Sequence, residues 1–182
     1  MTDTRLLPVQ SSADILPVYR DTPIGLLLEY HNLEKSFSNY AQAQLLIGMC
    51  MDNRKHLHIP DNFAFILRTG GANLQYAEFR VSYAIGVGGV KHIALIGHNN
   101  CGMSNLTARR QIFIDGLVTN AGWTAEHAAD YFDRRYSEFE IGNEVDFILS
   151  ESKRIRALFP KIIVAPMLYL VEDGRLYLIK ES

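Results

Sequence analysis

Short apolar runs recur along the chain and are separated by stretches of helical periodicity. The runs are Gln44–Cys50 (QLLIGMC), Phe63–Leu67 (FAFIL), Ile93–Gly97 (IALIG) and Ile162–Ala165 (IIVA), the last continuing towards Val171. Runs of this length fit strands covered on both faces, as in a parallel sheet. Leu176–Ile179 (LYLI) follows a Glu172-Asp173-Gly174 turn and is expected to return as an antiparallel hairpin partner. Helical patterns cover Leu74–Ile85, Thr124–Phe139 and Glu144–Phe159, with Pro160 as a stop. An earlier helix begins at Pro23, with Thr22 as its cap. Strands alternating with helices predict an α/β fold. The expected architecture is a central, mostly parallel sheet of four strands plus an antiparallel C-terminal edge strand, flanked by helices. Residues 1–22, punctuated by Pro8 and Pro17, read as an irregular N-terminal arm, and 23–182 as a single α/β domain.

Composition narrows the function classes. A chain of 182 residues that is 48% hydrophobic can bury a full core. A net charge of −2 argues against a nucleic-acid partner, which favours a basic surface. No apolar run approaches the roughly 20 residues of a spanning helix, so no membrane partner is expected. The N-terminus lacks a basic region followed by an apolar stretch, which points to the cytoplasm. Cys50 and Cys101 are the two cysteines of the chain. In a reducing compartment they are free thiols or metal ligands rather than a disulfide.

Both cysteines sit where apolar runs end. Cys50-Met51-Asp52-Asn53-Arg54 closes the first run, and Gly97-His98-Asn99-Asn100-Cys101-Gly102 closes the third. Ligands of open α/β sheets collect at the carboxyl ends of strands. If the first and third strands are neighbours, two thiolates and one imidazole converge. That donor set suits one zinc ion per chain, and three protein ligands leave a fourth position for water. Asp52 and Arg54, two residues apart, face the same side of extended chain. Asp52 can accept a hydrogen bond from the activated water while Arg54 holds it ionised, or it can occupy the fourth position and close the site. Taken singly, C-x-D-x-R and H-x-x-C are weak signals, since buried cysteines often only pack.

Together these residues resemble the β-class carbonic anhydrases, most closely the short, compact members. The resemblance rests on Cys50, Asp52 and Arg54, then Arg68-Thr69-Gly70-Gly71-Ala72-Asn73, then His98, Cys101 and Gly102, with a closing strand, tyrosine and turn at Tyr169 and Gly174. It extends over roughly residues 22–180. The resemblance implies a zinc lyase interconverting carbon dioxide and bicarbonate. In it, Cys50, His98 and Cys101 hold zinc, Asp52 and Arg54 form a dyad, and backbone donors near Gly70 and Gly71 hold bicarbonate. It also implies a homodimer or higher homo-oligomer. Relatives with the same ligands hydrolyse carbon disulfide or carbonyl sulfide, and a non-catalytic zinc-stabilised binding protein is the third reading. Asn53, Lys55 and Thr69 depart from the family's usual serine, small apolar residue and asparagine, and the 54–63 loop is short. His56 and His58 follow the dyad and could carry its proton, or could simply be surface polar groups. Gly86-Val87-Gly88-Gly89 precedes a strand rather than following one, so it reads as a turn and not a nucleotide loop.

Overall fold

The computed structural model describes residues 3–181. Six strands form one sheet: β1 (Leu6–Pro8), β2 (Leu45–Cys50), β3 (Ala64–Thr69), β4 (His92–His98), β5 (Ile163–Leu170) and β6 (Arg175–Ile179). Their order is β1-β6-β5-β4-β2-β3. The strands β3, β2, β4 and β5 are parallel, whereas β6 and β1 run antiparallel. The helices are α1 (Pro17–Arg20), α2 (Pro23–Leu33), α3 (Glu78–Gly86), α4 (Arg110–Ala121), α5 (Ala125–Phe139) and α6 (Glu144–Leu158).

The apolar runs become the buried strands for the expected reason: both faces of the sheet are covered. Alternate residues of each strand enter opposite cores. Leu45, Ile47, Met49, Ala94, Ile96, Ala165 and Met167 pack with α2. Leu46, Ile93, Leu95, Val164 and Leu168 pack with α3 and α6. Gly48 lies under Leu74, where a Cβ would come within 2.8 Å of a leucine methyl. Helix starts follow their caps: the side chains of Thr22, Thr124 and Asn143 accept from the backbone N–H of Ile24, His127 and Asp146.

Three details differ from expectation. The segment expected to be irregular carries β1 and α1, because Leu6–Pro8 pairs with the outer side of β6. The hairpin strand is therefore covered, and β1 is the edge on that side. Helix α4 escapes the apolar pattern. Among its residues only Ile114 is buried, while Ile112, Phe113 and Val118 are exposed, so it has no one-sided stripe to read. The second apolar run is an edge strand, and Phe65 and Ile66 of β3 stand exposed.

Candidate metal centre

Strand order reverses between β2 and β4. The chain runs from β2 outward to β3, then crosses back to lay β4 against the other side of β2. Connections leaving the two strands diverge there, and a crevice opens at their carboxyl ends. β2 delivers Cys50 to this crevice, β4 delivers His98, and the turn after β4 delivers Cys101. One ligand atom from each lies within 4.8 Å of the others. All three are buried, at 3%, 1% and 6% exposure.

The donor chemistry fits a tetrahedral metal. The two sulfurs are 3.9 Å apart and unbridged. Two sulfurs each about 2.3 Å from one tetrahedral centre stand about 3.8 Å from each other. Nδ1 of His98 lies 2.8 Å from the Asn99 carbonyl, which can only accept, so Nδ1 carries the proton. Nε2 is then the free lone pair. It is buried and has no hydrogen-bond partner among the described residues, a loss of about 1–3 kcal/mol for a group with nothing to bind. A cation among these three atoms removes that loss.

The protonation of the two sulfurs is compatible with a cation at this place as well. The Cys50 thiol is held far below the ordinary thiol range, chiefly because the Cys101 thiol donates to it; burial opposes this, and the His98 side chain and the backbone N–H groups of Asp52 and Gly71 assist. The same contact pushes the Cys101 thiol up, and burial adds to the effect. The metal-free pair thus keeps one proton, and a divalent ion is what allows both to be thiolates.

Beside this triangle stands the carboxylate pair. Oδ1 of Asp52 accepts from the Arg54 backbone N–H at 2.9 Å and from its Nε at 3.0 Å. Oδ2 accepts from Nη2 at 2.7 Å and lies 3.8 Å from Nε2 of His98. The Arg54 contacts hold the Asp52 carboxyl well below the usual carboxylate range. Arg54 reaches on to the Asn100 carbonyl at 3.0 Å. Asn100 is left-handed (φ 53°), a conformation that asparagine tolerates. The next N–H, that of Cys101, donates to Glu144 at the start of α6, at 3.2 Å. Asn99 donates to both oxygens of Glu172 at 2.7 Å and accepts from the Val171 N–H, tying the turn to the end of β5.

Gly70 and Gly71 follow β3 and reach the same crevice. A Cβ on Gly70 would lie 3.2 Å from Met103, and one on Gly71 would lie 2.7 Å from Ile141. Gly71 is also left-handed (φ 63°), and its amide serves the Cys50 sulfur. His56 is exposed, and the His58 ring packs on Phe37, with ring centroids 4.5 Å apart. Glu144, Glu172, Asn99 and Asn100 carry no motif signal, because each acts on a residue far away in sequence. Lys55, marked only as a departure from the family pattern, is fully buried beside the site.

The topology thus brings two cysteine sulfurs and an imidazole together at the switch point of an α/β sheet, a donor set compatible with a metal ion. Among solved structures the chain is similar to β-carbonic anhydrase isoform I of Trichomonas vaginalis, with a TM-score of 0.63 at 20% identity over 82% of this chain and 91% of that one. It is similar to the carbonic anhydrase of Streptococcus mutans, with a TM-score of 0.62 at 18% identity over 81% and 89%. It also matches the apo form of a carbon disulfide hydrolase, with a TM-score of 0.54 at 22% identity over 74% and 77%. No family model matches the chain, and no curated protein matches it by sequence. The fold is therefore that of the β-carbonic anhydrases, as the resemblance implied, with its parallel centre and antiparallel outer strands.

Proposed function

We propose that the chain is a zinc-dependent carbonic anhydrase that interconverts carbon dioxide and bicarbonate. One observation carries this reading: the buried, partnerless Nε2 of His98 faces two free sulfurs, with an Arg54-paired carboxylate 3.8 Å away. A structural zinc has no need of an oriented carboxylate beside it. Zinc on Cys50, His98 and Cys101 supplies the Lewis acidity that makes water a nucleophile near neutral pH. Asp52 accepts a hydrogen bond from the attacking water and fixes its lone pair towards the substrate carbon. Arg54 keeps Asp52 charged, so Asp52 orients the water and does not take its proton. That proton leaves to buffer or to His56 and His58, on the loop that follows. Gly70 and Gly71 line the substrate side, with Met103 and Ile141 packed close to them.

Carbon disulfide or carbonyl sulfide hydrolysis is the second reading, favoured by the likeness to the carbon disulfide hydrolase. The same residues serve it, with a sulfur-bearing substrate against Met103. Stopped-flow carbon dioxide hydration beside sulfide release, on protein of measured zinc content, separates the two. Zinc without either activity overturns both and leaves a zinc-stabilised binding protein. The cytoplasm, a reducing compartment, keeps both sulfurs available.

The partner proposed for the β3 edge is a second copy of this chain. Among the described residues β3 has no neighbour on its outer side, and Phe65, Ile66, Phe79 and Tyr83 form an exposed apolar band along it. An edge of this kind pairs with another chain unless it is blocked.

A further inference from the structure

We propose that Lys55, acting with Arg68, is a positioning residue that keeps Asp52 paired to Arg54 and off the fourth metal position. The inference rests on the metal reading above.

Lys55 is completely buried, a rare state for an ammonium. Its Nζ donates to the Asp52 carbonyl at 3.1 Å. Arg68 approaches the same turn from β3. Its Nη1 donates to the Cys50 carbonyl at 3.3 Å and to the Asp52 carbonyl at 3.4 Å, and its Nη2 donates to the Lys55 carbonyl at 3.3 Å. Two cations therefore converge on one backbone oxygen, that of the residue whose side chain must choose between Arg54 and the metal. The Asp52 peptide cannot turn without breaking both bonds.

The choice needs such a restraint. Oδ2 of Asp52 is 3.8 Å from Nε2 of His98, so the carboxylate stands beside the metal-facing nitrogen. Arg54 is 45% exposed, and an exposed pair is by itself a weak hold. The clamp acts on the backbone instead, and its Lys55 arm comes from a side chain that is itself buried. A buried charge also needs compensation. Burial pushes the Lys55 ammonium down, with Arg68 adding to the shift, and the sulfurs and Asp52 oppose it, so the charge is compensated from the side of the site.

The test is an azide titration of the full chain loaded with cobalt(II), followed by visible absorption. Wild type binds azide at the open position. Lys55→Met releases Asp52 onto the metal, and azide affinity falls at least about tenfold, the loss when nine chains in ten hold the closed conformer. Adding Asp52→Asn to Lys55→Met restores affinity, because an uncharged carboxamide competes poorly for the metal. Arg68→Met, at an exposed side chain, weakens azide in the same direction and serves if Lys55→Met does not fold. A merely structural role lowers the melting temperature but is not rescued by Asp52→Asn. Wild-type azide affinity in the single variants, or no rescue in the double, overturns the proposal. Failure of cobalt to load the wild type instead overturns the metal reading beneath it.

Discussion

The sulfurs of Cys50 and Cys101 lie 3.9 Å apart although their residues are 51 positions distant in sequence. Neither strand end creates this spacing alone. It arises because β2 and β4 are neighbours in parallel register, with Met49 opposite Ile96, so the two chain exits are side by side. The pair is poised for a cation, and its protonation follows from the spacing.

Zinc binding is expected to release about one proton per chain near pH 7, not two, since the Cys50 thiol is held down while the Cys101 thiol is pushed up, so the metal-free pair already shares a single proton. Calorimetric titration in buffers of different ionisation enthalpy measures the number. Release of two protons means that the metal-free pair does not share one, and that the sulfurs are further apart in solution.

Asp52→Asn keeps the shape of the side chain but weakens its bond to Arg54. Catalysis is expected to fall about 10²-fold, the scale of misplacing a reacting group, with zinc content unchanged. Arg54→Met acts in the same direction by freeing the carboxylate. Full activity in Asp52→Asn excludes an orienting role for this side chain.

The buried strands were legible because a doubly covered strand needs apolar residues on both faces, and the centres of β2, β4 and β5 have them. The convergence of Cys50, His98 and Cys101 was legible because each ends or follows such a strand within a compact motif. β1 was not, since three residues carry too little pattern and its pairing with β6 spans the chain. The contacts that Lys55 and Arg68 make with the Asp52 turn stayed hidden for another reason. Their bonds go to backbone carbonyls, which look alike at every residue, so no partner residue marks them. The second apolar run misled for a physical reason as well: an apolar edge strand has the same composition as a core strand.

That edge supplies the next expectation. Phe79 is 82% exposed, an unusual position for a large aromatic ring unless a partner covers it. Phe79→Asp combined with Ile66→Lys should convert the assembly to monomer by sedimentation velocity, with circular dichroism unchanged. A wild-type chain that already sediments as a monomer sinks the proposed interface.

His31 ties three elements together and makes stability depend on pH. From α2, its Nε2 lies 2.9 Å from the Gly174 carbonyl, so that nitrogen donates. Its Nδ1 accepts from the His58 backbone N–H at 3.0 Å, leaving no lone pair for a second proton. Burial, the largest cause, lowers the His31 pKa below the ordinary 6.5; the Gly174 bond opposes this, and His58 and Arg175 add to the lowering. The sign follows from the unfolded chain binding the proton more readily. The contribution of His31 is fully present above about pH 6.5 and is lost as pH falls through the lower folded value. Metal-free protein, which removes acid release of zinc as a cause, is expected to lose urea stability between pH 7.5 and 5, and His31→Gln to lose less of it. An equal loss in the two proteins assigns the acid sensitivity to other groups.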